Sequence, residues 1–411
     1  MPRTLLVQAL LLALLSAPQP GEAAELRLGA TLPLSGPEAK TGARFRDGYQ
    51  LAIDEANARG GLRVGTQRLT VKLDLRDDET NPEKASRLVQ ELVETGGAQL
   101  LLGSYSTSVI EAQSAAAEKL KVPYINGGGA ATGIYRRGFR YVFGLLAPVE
   151  QLSDTLLRWV SVELDKKHLE APVRVALAWE NTAHGRDFRA GVAAFVERTP
   201  ARRAGFKLVL DQSFELNQPD YKTLLGQVDK AKADVLLVDA HLPDYIAMQN
   251  QYVALGLCHR VLSYGARGPE KDALAALPPG ATDGILSSVW WSPQLGTKGP
   301  ARQFVESFKA RHSRAPEWTE ALAFETARTL FTAVERAGSI ERSRVRDALA
   351  AFSTDDSIVP GGYLSFPEAY GGQAHYLFVV QQNQGAGAAP IIYPAVAATG
   401  TGTLRKCPEP P

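Results

Sequence analysis

The sequence predicts an α/β protein of two lobes, each a parallel sheet covered by helices on both faces. Three observations carry that expectation. A strand–helix rhythm runs from Leu26, and the same rhythm restarts near Val173. The chain is also 411 residues long, more than one core of ordinary size can organise.

The elements follow in order. "LRLGATLPL" is an apolar run that "SGP" ends. "TGARFRDGYQLAIDEANARGG" places Phe45, Tyr49, Ala52, Ile53 and Ala56 on one helical face and stops at Gly-Gly. "RLTVKLDLRDD" alternates with period two through Leu69, Val71, Leu73 and Leu75, as a strand does. In "NPEKASRLVQELVETGG", Asn81 stands at a helix cap, Pro82 in the first turn and Gly96 past the end. Strand "AQLLLG", helix "SVIEAQSAAAEKL" and strand "VPYINGG" complete the first series. A join near "YVFGLLAPVEQ" leads to the second. Its strands are "VRVALAWE", "FKLVLDQSF", "ADVLLVDA" and "RVLSYG"; its helices run Arg186–Arg198, Tyr221–Ala231 and Asp244–Leu255. After "GILSSVWWSP" come helices Arg302–Arg311, Glu320–Ala337 and Glu341–Phe352, then short strands in "GGYLSF", "HYLFVVQQ" and "IIYPAVAA". Late helices after a finished second lobe predict that the chain crosses back to the first.

Composition excludes some classes. A net charge of +1 lacks the basic excess of a nucleic-acid binder. Beyond the N-terminus no stretch reaches the roughly 18 apolar residues of a membrane-spanning helix. Residues 1–24 read as a secretory signal: Arg3, an apolar segment from Leu5 to Leu15, then Pro, Gly and small residues, with cleavage after Ala23 or Ala24. The mature protein is therefore expected outside the cytoplasm. Cys258 and Cys407 are the two cysteines; in an oxidising compartment they either pair, clipping the tail to the body, or stand as one buried thiol and one on a tail. The histidines show no helical ligand spacing, so no metal site is expected.

Two loops stand out. "NGGGAATG", Asn126 to Gly133, lacks the Gly-Lys-Ser/Thr of a phosphate cradle and the dinucleotide glycine spacing. "GSYSTS", Gly103 to Ser108, breaks the Gly-x-Ser-x-Gly frame of a nucleophile elbow with Tyr105. A secreted hydrolase with a Ser or Thr nucleophile would need a histidine tied to it, and the sequence ties neither His184 nor His241. Both loops instead follow the carboxyl ends of strands, where open α/β sheets hold ligands. A helix N-terminus with hydroxyl residues suits an anion such as a carboxylate. One of Ser106, Thr107 and Ser108 is expected to cap the helix, leaving the others for a ligand.

The combined pattern of "LRLGATLPLSGPEAKTGARFRDGYQLAIDEANARGG", "DDETNPEKASRLVQELV", "LLGSYSTS", "VPYINGGGAATG", "AWENTAHGRDF" and "DYKTLLGQVDKAKADVLLVDAHLPD" resembles the periplasmic solute-binding proteins of branched-chain-amino-acid-type ABC transporters. The likeness spans essentially the whole mature chain. It implies a type I periplasmic binding fold, two doubly wound lobes joined by a three-crossover hinge and closing on a small molecule. It implies a monomeric receptor with no catalysis and no cofactor, delivering its ligand to permease and ATPase subunits at the inner membrane. On this reading lobe 1 takes 25–146 plus 282–355, lobe 2 takes 147–281 plus 356–396, and 397–411 is a tail.

The resemblance also carries residues over. Thr107 falls on the hydroxyl that donates to a ligand carboxylate, with Tyr105 and Ser106 in the same loop; Gly128 and Gly129 offer backbone groups. Ala130 stands where amino-acid binders have a second threonine, with Thr132 two residues on. His184 and His241 stand where they have tyrosines. Their acidic partner for the ligand ammonium falls near Ala266 and Arg267, where this chain has no acid. An unpaired buried ammonium is costly. Glu180 and Asp239 could replace that acid but read as strand ends. The expected ligand is thus a small carboxylate without an ammonium, with stacking surface for an aromatic one offered by Tyr105, Tyr264, Trp290 and Trp291. For the two tryptophans the alternative is packing in the core or on a crossover. An amino acid is the other reading of the ligand.

Overall fold

The protein is described by a computed structural model covering residues 24–385 and 387–407. The expected signal segment lies outside the described residues. The first lobe is built on β1 (Glu25–Leu32), α1 (Ala39–Ala58), the antiparallel pair β2 (Leu62–Val64) and β3 (Gln67–Asp77), α2 (Pro82–Glu94), β4 (Leu100–Leu102), α3 (Thr107–Lys119), β5 (Tyr124–Asn126) and β6 (Val142–Gly144). The strands form one sheet in the order β2-β3-β1-β4-β5-β6, parallel from β3 onward. The apolar face read for α1 is the one it buries. Asn81 caps α2 as its sequence position predicts, accepting the Lys84 N–H at 2.8 Å.

The second lobe adds α4 (Val149–Asp165), β7 (Val173–Glu180), α5 (Ala183–Glu197), α6 (Pro200–Gly205), β8 (Phe206–Phe214), α7 (Lys222–Ala231), β9 (Val235–Asp239), α8 (Leu242–Ala254), β10 (Val261–Tyr264), α9 (Lys271–Ala276) and β11 (Leu286–Val289). The chain then returns to the first lobe as α10 (Gly299–His312), α11 (Trp318–Ala337), α12 (Arg342–Ala350) and the small hairpin β12 (Ser353–Thr354) and β13 (Leu364–Ser365). It ends in the second sheet with β14 (Val379–Gln382) and β15 (Ile391–Tyr393), giving the order β15-β14-β11-β10-β9-β7-β8. β14 and β15 run antiparallel, which closes that edge of an otherwise parallel sheet. Among the described residues no helix is long and apolar enough to cross a membrane.

Three crossings join the lobes, at 145–148, 290–298 and 366–378. Two expected boundaries move. Residue 282 does not begin the return to lobe 1: Leu286–Val289 is buried throughout and pairs with β10 and β14, so the chain crosses after it. The third crossing also comes later than residue 356. β13 must first turn back onto β12, and Phe366 packs on Phe143 of β6.

The return places α11 against α1. They cross where Gly48 faces the Glu320 carbonyl; a Cβ there would lie 2.3 Å from that oxygen. The close crossing brings the N-terminus of α11 to the gap between the lobes. Residues 400–407 do not form a free tail. They pack on lobe 2, with the Thr403 N–H donating to Gln382 Oε1 and the Arg405 N–H to the Arg260 carbonyl, both at 2.9 Å. Cys258 and Cys407 are disulfide-bonded, so of the two readings of these cysteines the clip holds. Cross-linking residues 149 apart in sequence restricts the unfolded chain strongly. Cys258→Ser, or reduction of the intact protein, is expected to lower the unfolding free energy by about 2–4 kcal/mol, measured by urea denaturation.

Candidate ligand-binding site

Strands β4, β5, β7, β9 and β10 end their carboxyl termini at one gap, because the parallel order of both sheets points those ends the same way. The gap is a cavity. Tyr105, Ser106, Thr107, Gly128 and Trp318 line it from lobe 1; His184, Asp239, Ala240, His241 and Arg267 line it from lobe 2; Leu146 and Trp290 stand on the crossings.

Of the residues expected from sequence, Tyr105, Ser106, Thr107, Gly128, His184, His241 and Arg267 are thus brought together. Gly129, Ala130 and Tyr264 are not. The Gly129 N–H donates backward to Asn126 Oδ1 at 3.0 Å, and the Ala130 carbonyl accepts from Gln373 Nε2 at 2.8 Å. Tyr264 is buried behind the wall, its ring 4.4 Å from that of Tyr245. Thr132 points elsewhere too: its hydroxyl donates to Glu150 at 2.8 Å. The tryptophans divide. Trp290 faces the cavity and donates Nε1–H to the Ala147 carbonyl at 3.0 Å. Trp291 packs on Phe304 in the core.

The loop of Ser106 and Thr107 is held from behind. Ser104 Oγ and Thr31 Oγ1 both donate to Asp78 Oδ2 at 2.6 Å, and Gln113 Oε1 accepts the Ser104 N–H at 3.1 Å. Gly128 lets the second loop approach, since a Cβ there would sit 2.2 Å from the Ser104 carbonyl oxygen. The expected hydroxyl cap is absent. Ser106 occupies the N-cap of α3 but accepts no backbone N–H; its Oγ lies 3.5 Å from Ser108 Oγ. The first turn of α3 therefore keeps its N–H groups and the Thr107 hydroxyl for the cavity.

The expectation that the cleft lacks an acid is corrected. Asp239 is on the wall, with Glu180, Glu38 and Glu270 close behind. Glu180 and Asp239 read in the sequence as strand ends, and Glu38 and Glu270 stand in no motif there. Each has a partner. His184 Nδ1 meets Asp239 Oδ2 at 2.9 Å; His241 Nδ1 donates to Glu38 Oε1 at 3.0 Å while its Nε2 lies 3.4 Å from Glu180 Oε2. Arg267 donates to Glu270 Oε1 at 2.7 Å and across the gap to the Tyr105 hydroxyl, and its guanidinium stacks over the rings of Tyr105 and Trp318. Trp318 in turn donates Nε1–H to Glu270 at 3.1 Å.

The environment tunes these groups. Burial pulls the His241 imidazole down, but Glu180 and Glu38 outweigh it and carry its pKa to about 9. Burial also raises Glu38, yet the bond from His241 prevails and brings it to about 2. Burial pushes Glu180 up from the ordinary carboxylate value, and for His184 the Asp239 charge overcomes burial and raises it. Among the described residues neither imidazole hydrogen-bonds a Ser or Thr hydroxyl, so the hydrolase arrangement lacks its nucleophile–base contact.

A cleft shared by two sheet-centred lobes, lined by polar groups at strand ends and aromatic rings, defines a two-lobed solute-binding protein. The chain belongs to the periplasmic binding protein family, whose model matches residues 25–387. It is 24% identical over 348 residues to Leu/Ile/Val-binding protein homolog 8 of Brucella abortus, covering 83% of each chain. Among solved structures it is similar to the branched-chain amino acid transporter substrate-binding protein LivJ of Streptococcus pneumoniae in complex with isoleucine. That likeness has a TM-score of 0.76 and 19% identity and covers 90% of this chain and 100% of that one. It is also similar to an ABC transporter solute-binding protein of R. palustris in complex with benzoate, with TM-score 0.73 and 21% identity over 90% and 96% of the two chains.

The Arg267–Glu270 pair supplies a test of the electrostatics. Arg267→Met strands a buried carboxylate and is expected to cost about 3–5 kcal/mol. Adding Glu270→Gln should recover more than half of that loss in a double-mutant cycle followed by urea denaturation.

Proposed function

We propose that this protein is the periplasmic substrate-binding component of an ABC importer, that it is exported by a cleaved signal segment, and that it carries a small aromatic carboxylate lacking an ammonium group. As a monomer without catalytic activity, it delivers that solute to the permease and ATPase subunits of the inner membrane. The observation that carries the ligand class is the uncapped first turn of α3. Its Ser106 and Thr107 line a cavity that also carries the rings of Tyr105, Trp290 and Trp318, beside His184, Asp239, His241 and Arg267. A carboxylate finds donors there, and every acid around the cleft already has a cationic partner. The benzoate complex of the R. palustris protein is consistent with this reading.

The cavity leaves only about 30 Å³ in which the centre of a water-sized molecule can move. A ring-sized solute therefore enters when the lobes part and the Arg267–Tyr105 contact gives way. One observation favours the alternative, a branched-chain or other amino acid: Asp239 on the wall is an acid that an ammonium could take from His184.

Melting curves separate the two. Benzoate at about 100 times its dissociation constant should stabilise the mature protein by about 2.7 kcal/mol, read as a rise in Tm, while leucine leaves it unmoved. Strong stabilisation by leucine with none by benzoate reverses the assignment. Thr107→Ala should weaken benzoate binding by about 10-fold or more in calorimetry, the loss of one hydrogen bond to a charged group.

A further inference from the structure

The lobe 2 wall of the solute space carries a second chemistry. Glu180 and Asp239 are the last residues of neighbouring parallel strands β7 and β9, His184 is in the first turn of α5, and His241 precedes α8. One donor atom each from Glu180, His184 and Asp239 lies within 4.8 Å of the others. His241 Nε2 lies 3.4 Å from Glu180 Oε2. We propose that this cluster binds one divalent ion of zinc's kind, ligated by Glu180, His184, Asp239 and His241. The inference goes beyond the solute reading and does not depend on it.

The geometry supports it in four ways. First, Glu180 Oε2 is buried without a hydrogen-bond partner, although its carboxylate is only 1% exposed, and it faces His241 Nε2. A buried carboxylate oxygen with no hydrogen bond, and only the His241 imidazole 3.4 Å away, is costly, and a cation at that point removes the cost. The other oxygen, Oε1, is fixed by the Thr182 hydroxyl at 2.6 Å. Second, His241 gives its Nδ1–H to Glu38, which turns the Nε2 lone pair toward the cluster, as carboxylates do for imidazoles that ligate metals.

Third, donor atoms around zinc sit about 2.0–2.2 Å from the ion, which sets neighbouring donors about 3.3–3.6 Å apart. The separations here, 2.9, 3.4 and 4.0 Å, straddle that spacing, so small side-chain adjustments suffice. Fourth, two imidazole nitrogens and two carboxylate oxygens form a donor set suited to zinc, and a dication balances two carboxylates in place of two imidazole protons. The sequence hides the site because its ligands come from two separate strand–helix junctions instead of one helix face.

The test begins with the mature protein stripped by a chelator. Zinc is titrated by calorimetry, and retained metal is counted by mass spectrometry after gel filtration. The expected result is one zinc per chain. Asp239→Asn and His184→Gln should each weaken it by about 100-fold, and Glu38→Gln by about 10-fold. Glu163→Gln, which alters a His–Glu pair away from the cleft, should leave it unchanged. Co²⁺ with the unmutated protein gives a second readout that needs no variant to fold: d–d absorption stronger than that of the aqueous ion is expected. Zinc retained at less than stoichiometric level, Co²⁺ absorption like that of the free ion, or equal retention by Asp239→Asn and His184→Gln would each overturn the proposal. Benzoate melting shifts on the zinc-free protein report on the solute reading separately, so either can fail alone.

Discussion

A carboxylate taken out of water must find a cation or surrender its charge, and the gap between the lobes is arranged around that constraint. Four acids, Glu38, Glu180, Asp239 and Glu270, stand there against Arg267, His184 and His241. Glu270 lies three residues from Arg267 and Glu180 four from His184, but the other pairings join distant parts of the chain. Glu38 precedes the first helix of lobe 1, while its partner His241 precedes a helix of lobe 2. The electrostatics therefore demand that the lobes come together with the strand ends facing. The three crossings, the close passage of α1 over α11 and the second-sheet position of β11 all serve that placement.

Behind the ligand loop, polar groups satisfy one another. The network of Asp78, Thr31, Ser104 and Gln113 consumes its own donors and holds the loop rigid. In front of it, the first turn of α3 has no side-chain cap, and Ser106 and Thr107 line the cavity. Rigidity behind and unspent donors in front is the combination that lets a solute be recognised without a large ordering cost.

Much of the fold was legible in the sequence, and for identifiable reasons. Period-two and helical patterns located β3, α1 and α2, and the Asn-Pro pair located the α2 cap. The join at "YVFGLLAPVEQ" runs into the long helix Val149–Asp165, whose Val149, Leu152, Leu156 and Val160 lie at helical spacing in the sequence. At the site, Tyr105, Ser106, Thr107 and Gly128 were visible because they follow strands directly. Trp318 and Glu270 were not. They reach the cavity only through the second crossing and the turn after β10, and no local pattern reports such a meeting. Asp239 was visible as a residue and hidden as a lining group, since a strand-terminal acid looks the same whether it faces solvent or a cleft.

The bond from Arg267 to Tyr105 has a thermodynamic side. It links the lobes directly, so the protein can satisfy part of its own cleft. A solute must compete with that internal partner, and its apparent affinity is the intrinsic affinity reduced by the fraction of molecules already parted. Such a receptor trades sensitivity for discrimination. Solutes too small or too weakly charged to replace what Arg267 loses are turned away by the protein's own preference for itself.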